Sequence, residues 1–474
     1  MRLRADVAWR LGWRPVALAL AARRRRPALM DGADVRPLWE AHRWAAILHA
    51  PDPAAFARAW LRDHPPGPGP LWACGQEAAL RWLHLRLACA LRGAAPPPEV
   101  EDALRRRVRA NPLYALAQDN NHPLSEAAAL WAAGEPGARR RMERLVLRLV
   151  APDGGFAQPS PAYQRLLLDV AAVAEWLARR RGDGLGPAAL ARLAAATRLL
   201  HALACPATGA LPRIGHQDGS AFADLSGEGE ATARASLERA ARLFCGASAG
   251  WPGAPCLDLP LPAARLEPAE GAMGAFLLRR AGPWRAVLRG GAPRFRPNHA
   301  DFLHLDLWDG PLNLLRDGGT GAYNPRGRPG LAGLDGTAAH NLAQFDGEEQ
   351  MPRVGPFLHA RWPRAGWLPD GGWMQDHRGR RHERRLALDA AGATVEDALS
   401  GPFRRAELRW RLPPGPWRLV PGGAEGPGHR ILSDAPAVLE AGRESLRYGE
   451  ATPCPVLRVA LDRPGAHRTR ITRR

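Results

Sequence analysis

Between residue 37 and about residue 243, apolar positions recur at spacings of three and four, the period of helices that bury one face. The periodic segments are 38–50, 54–63, 71–91, 100–110, 123–133, 139–150, 161–180, 187–204 and 231–244, separated by short Pro/Gly breaks. A series of helical hairpins is predicted, as a bundle, solenoid or toroid. From 246 to 262 the composition turns to Gly, Pro and Ala, which reads as a linker. Beyond it the period changes to that of short strands, at 275–280, 284–289, 303–308, 312–316, 341–345, 385–388, 394–398, 407–412, 417–420, 437–440 and 456–461. So many short strands predict an antiparallel sandwich or barrel. The expected organisation is a basic segment 1–33, an all-α domain 34–250 and an antiparallel β-domain 262–474.

The stretch 296–308 carries the densest pattern of chemistry. His299, Asp301, Leu303, Leu305 and Leu307 share one parity, while His304, Asp306 and Trp308 share the other. In a strand the leucines would face a core and the second set would face outward. A histidine and a carboxylate on the buried parity need partners. Asp317, before a glycine turn, and His340, beside a strand, are candidates. His299, Asp317 and His340 are ligand types that suit zinc or another divalent metal; a hydrogen-bonded cluster pinning turns is the alternative.

Composition adds three constraints. At 474 residues and 46% hydrophobic, the chain can bury two sizeable cores. Its formal net charge of +19 comes from arginine without a single lysine, which in part reflects a GC-rich genome. Such charge suits polyanions or is simply a solvated basic surface. Cys74, Cys89, Cys205, Cys245, Cys256 and Cys454 lie far apart with no CxxC pair, as expected of buried thiols. The apolar run 15–22, followed by Arg23–Arg26, is short for a signal peptide, and no run approaches a membrane-spanning length. A soluble protein is expected.

Three polar clusters stand in the helical half. Asn120-Asn-His-Pro-Leu-Ser-Glu126 precedes a helix, with Asn121 or His122 as cap and Pro123 in its first turn. Such a helix start either holds an anion such as a carboxylate or is only capped. Ser160-Pro-Ala-Tyr163 opens another helix, with one of only four tyrosines on its first turn. Arg213, His216 and Asp218 lie on the polar loop 209–219, as cleft residues or as turn-formers.

These motifs resemble, in order and spacing, the heparinase II/III family of polysaccharide lyases. The resemblance rests on Asn120–Glu126, Ser160–Tyr163, His299-Ala-Asp301, Arg316-Asp-Gly-Gly319 with Tyr323, and Ala339-His-Asn341 with Asp346-Gly-Glu-Glu-Gln350. It implies an (α/α) toroid followed by an antiparallel β-sandwich, and β-elimination of an acidic, uronate-containing polysaccharide. It implies that Asn121 and His122 neutralise the uronate carboxylate, that Tyr163 is the acid and often the base, and that His299, Asp317 and His340 hold a structural zinc. Asn120, Gln164, Arg213, His216, His304 and Tyr323 are the expected substrate-binding residues, and no redox cofactor is needed. Two positions depart from the family pattern: Gln164 stands where a histidine is frequent, and Pro297 where the first histidine of His-x-His-Ala-Asp is catalytic.

Two other function classes fit parts of the sequence. One is an acidic-glycan-binding protein of polysaccharide biosynthesis or export that keeps the fold without cleavage. The other is a glycoside hydrolase, which needs two positioned carboxylates among Asp119, Glu126, Asp218 and Asp301. No nucleic-acid recognition motif appears.

Overall fold

A computed structural model of the protein describes residues 2–14, 34–220, 229–355 and 357–474, with Phe222, Leu225 and Gly227. The helical half forms where the period of three and four predicts it. Its central helices, Gly75–Leu91, Asn121–Ala132 and Pro161–Arg179, are buried almost all round. The middle one packs between the other two. Around them stand Pro53–Asp63, Pro98–Arg109, Ala138–Leu149, Pro187–Leu203 and Arg234–Ala240. The predicted helix 38–50 is instead a short helix, Arg36–Ala41, and a 3-10 turn, Ala45–His49, because Trp44 adopts a left-handed conformation (φ 66°). Helix Pro112–Gln118 lies in a stretch without clear periodicity.

The second half is antiparallel throughout. A five-stranded meander runs in chain order through Gly271–Met273, Phe276–Ala281, Trp284–Arg289, Leu305–Asp309 and Leu312–Leu315. Eight-stranded and four-stranded sheets follow. Leu305 and Leu307 of the meander share a core with Val395 and Ile471 of the larger sheet and with Leu408 and Leu457 of the smaller. The opposite face of the meander is also covered: Phe276, Leu278 and Val287 pack on Leu199, Ala202, Leu203 and Ile214 of the helical half.

That second burial corrects the alternation reading. The strand is Leu305–Asp309, and residues 299–304 form the irregular approach to it, with Leu303 at φ 70°. His304, Asp306 and Trp308, expected to face outward, are buried. Asp306 and Trp308 pair in register with Val287 and Arg285, on the face that docks the helices. There the Arg285 guanidinium lies 4.6 Å over the Trp308 ring, and the indole N–H donates to Asp306.

Part of the basic N-terminal segment is a helix, Arg2–Leu11, whose Val7 and Leu11 pack on Ala360 of the β-half. The apolar run 15–22 and Arg23–Arg26 lie outside the described residues. Among the described residues no helix is long and apolar enough to cross a membrane. All six cysteines are free, and all but the half-buried Cys245 are buried.

Two stability tests follow. Leu203→Ala opens the seam between the halves and should cost about 2–5 kcal/mol, read as a lowered unfolding midpoint. Burial pushes the Glu126 carboxyl up to about 8 from an ordinary 4.5. Between those values the folded chain holds a proton that the unfolded chain has released, so this group lowers stability as pH rises through the window. Glu126→Gln should flatten that decline in urea-unfolding midpoints compared at about pH 5 and about pH 8; an unchanged slope would refute the assignment.

Candidate functional site

Two helix N-termini are tied together at the boundary between the halves. Asn120 is the cap of Asn121–Ala132, its Oδ1 accepting the His122 N–H at 3.0 Å. The helix therefore begins two residues earlier than the expected start at Pro123, and Asn121 and His122 lie inside its first turn. The Asn121 N–H donates to Gln158 Oε1 at 3.0 Å, two residues before Ser160 caps the helix of Tyr163. The Ser160 hydroxyl in turn donates to the His216 carbonyl at 2.6 Å, which anchors the loop 204–220. Gly215 in that loop sits at φ 71°, where a Cβ would lie 2.7 Å from the Pro159 carbonyl oxygen, so only glycine fits the approach.

The loop delivers Asp218 as an acceptor between the two halves. Tyr163 donates to its Oδ2 at 2.7 Å from the helical side, and Tyr323 to the same oxygen at 2.9 Å from the β side. Arg36 stands 3.4 Å from Oδ1 and donates through Nε to the Asp218 carbonyl at 3.0 Å. Burial alone would raise the Asp218 carboxyl, but Arg36 and Arg43 outweigh it and hold the group below the usual range, so it is ionised. Burial and this carboxylate push both phenols above their ordinary range, and both keep their protons. The His216 ring lies 6.5 Å from Tyr163, 5.2 Å from Tyr323 and 5.3 Å from His299, centroid to centroid. Burial lowers it to about 4, which leaves it neutral.

His299, Asp317 and His340 come together as expected: one ligand atom from each lies within 4.8 Å of the others. Gly318 allows the approach, since a Cβ there would meet the Ala339 carbonyl oxygen at 2.7 Å. Asp317 Oδ2 is 3.0 Å from His340 Nδ1, and its Oδ1 accepts the Gly319 N–H at 2.7 Å. Both ring nitrogens of His299 and Nε2 of His340 are buried without a hydrogen-bond partner. Orphaned imidazole nitrogens converging on a carboxylate fit a bound metal ion better than a self-contained hydrogen-bond cluster.

Other candidates have different surroundings. His304 is fully buried behind the cluster: its Nδ1 accepts the Asn341 N–H at 2.9 Å and its Nε2 lies 3.6 Å from Asp317 Oδ2. It stands against Asp317. The Gln164 amide is used by the backbone, donating to the Gly154 and Ala196 carbonyls at 2.8 and 3.1 Å and accepting from Phe156 N–H at 3.3 Å. Arg213 reaches the Leu446 carbonyl across the boundary and lines a cavity of about 340 Å³ with Arg165, Arg316 and Trp308. The His122 ring lies 6.3 Å from that of Tyr114, with Nδ1 3.9 Å from Cys74 Sγ. Asp301 faces Arg289 at 3.5 Å. Arg36 and Phe357 were not anticipated; their partners lie far away in the chain, which no local pattern reveals.

Residues 264–440 match the family model described as heparinase II/III-like, C-terminal. No curated protein sequence matches the chain. Among solved structures, the heparinase III BT4657 gene product is 15% identical with a TM-score of 0.60, covering 93% of this chain and 76% of its own. The heparan sulfate lyase HepC from Pedobacter heparinus is 17% identical with a TM-score of 0.58, covering 92% and 76%. A further heparinase III structure is 12% identical with a TM-score of 0.62, covering 89% and 72%. Such identities carry the fold and not the activity. Residues 264–440 thus form a heparinase II/III-like C-terminal domain, and the chain shares the architecture of these solved structures along most of its length.

Proposed function

We propose that the protein is a polysaccharide lyase that cleaves an acidic, uronate-containing glycan by β-elimination. The observation that carries this reading is the convergence of Tyr163, Tyr323 and His216 around Asp218 at the boundary of the two halves. Solved structures of the same fold bear the names heparinase III and heparan sulfate lyase.

In the reaction, a base removes the proton at C5 of the uronate, the C4–O bond breaks, a C4=C5 double bond forms and the departing oxygen takes a proton. Tyr163, protonated, is the acid for that oxygen. His216 beside it is the base, the role left open at Pro297. The first turn of the helix at Asn121 and His122, at the positive end of its dipole, stabilises charge on the carboxylate. His299, Asp317 and His340 would hold zinc, which braces the turns bearing them and leaves proton transfer to side chains of the cleft. No redox cofactor takes part.

Of the carboxylates a hydrolase would need, Asp119 is paired with Arg148 at 2.8 Å and Asp301 with Arg289, so neither offers a second partner to Asp218. The reading of binding without cleavage draws on Pro297.

Tyr163→Phe should abolish the ultraviolet absorbance of unsaturated uronate product on an acidic glycan that the native protein cleaves, and His216→Ala should lower kcat at least about a hundredfold. Full activity in the tyrosine variant would sink the mechanism, while native binding without product on any uronan would favour the non-cleaving reading. Separately, His340→Ala should lose the roughly one equivalent of zinc expected of a three-ligand site, measured by elemental analysis after dialysis. Equal zinc in both proteins would reject the metal assignment.

A further inference from the structure

The residues assigned to proton transfer and to the carboxylate are all but shut off from solvent: Tyr163 is 8% exposed, His216 7% and Asn121 4%. A polysaccharide cannot reach them as they stand. The groups that close the approach belong to one segment of the β-half and to the N-terminal helix.

The segment is the short hairpin of strands Arg353–Gly355 and Leu358–His359. Phe357 at its turn is 38% exposed on one side and meets the catalytic rings on the other, at 5.2 Å from His216 and 4.6 Å from Tyr323, both edge-on. It holds φ 62°, a conformation unfavourable for a bulky side chain and kept only where the surroundings impose it. The residues that follow make a second contact. Val7 and Leu11 of helix Arg2–Leu11 form an apolar cluster with Ala360, against which Val354, Leu358 and Trp362 pack. Asp6 accepts the Arg361 N–H at 2.7 Å, and the Arg10 guanidinium lies 5.4 Å over Trp362. Just beyond the helix, Arg14 pairs with Asp119, the residue before the Asn120 cap. The helix thus ties the hairpin to the edge of the catalytic centre.

We propose that Phe357 and the N-terminal helix form a cover over the catalytic centre, Phe357 as its plug and the helix as its strap, and that an acidic glycan enters only when the strap lets go. Among the described residues the apolar contact between strap and hairpin is small, with Val7, Leu11 and Ala360 buried, so it can open without disturbing either large core. This inference rests on the lyase reading for its purpose but not for its test. The centre as drawn is a closed state, and the open one is the minor population.

The experiment compares the full chain with the variants Phe357→Ala and Leu11→Asp under limiting diethyl pyrocarbonate, with histidine modification located by peptide mass. His84, buried in the helical core, serves as the internal reference. The rate at His216 relative to that at His84 should rise about tenfold in each variant, as expected when an open state of about a tenth or less becomes dominant. An unchanged ratio in both variants overturns the cover. Cleavage of heparan sulfate and of polyglucuronate is followed in parallel. Faster modification with faster cleavage supports cover and lyase together; faster modification with no cleavage by any of the proteins keeps the cover and removes the lyase reading.

Discussion

Everything in this molecule that resembles a site depends on a thin sheet being buried on both faces. The five-stranded meander gives one face to the core it shares with the other sheets and the other face to Leu199, Ala202, Leu203 and Ile214. Burial of this apolar surface is non-directional and would tolerate sliding. Directional contacts set the register: Gln217 N–H donates to Thr320 Oγ1 at 2.7 Å, and Arg213 reaches the Leu446 carbonyl. Docked in that register, the helical half presents Tyr163 and His216, and the β-half presents His299 and Tyr323, to a common boundary. Neither half carries the set alone.

Arginine supplies the cations inside this assembly. Arg36 balances Asp218 and reaches Glu77, while Arg43 holds Glu77 at 3.1 Å. In the sandwich, fully buried Arg384 pairs with Asp397 at 2.7 Å and donates to the Leu303 carbonyl at 2.7 Å, fastening the approach that carries His299 and His304. A planar fork that bonds several oxygens at once suits such positions better than an ammonium would. In this chain the arginine richness is therefore partly structural, and the net charge overstates the positive surface offered to a polyanion.

The architecture was legible because each half keeps one period over long stretches, and because the cap at Ser160 marks a helix start; the cap expected at Asn121 or His122 is instead Asn120. The metal-type cluster was legible in its residue types and glycine turn. The outward face assigned to His304, Asp306 and Trp308 was not, since alternation tells which residues share a face and not whether a second domain will cover it. Gln164 shows a related limit: an amide next to a candidate tyrosine looks available until the backbone groups of 154, 156 and 196 arrive to use it. Arg36 reaches Asp218 and Phe357 reaches His216 across more than a hundred residues, and their meaning exists only in the folded chain.

Asp218 Oδ2 receives two phenols at once, one from each half. A buried carboxylate that loses its donor is left unpaired, at a cost in free energy. In the proposed reaction Tyr163 turns its proton toward the departing oxygen, and Tyr323 and Arg36 would still hold the charge of Asp218. The second tyrosine would in that sense be a reserve for the first.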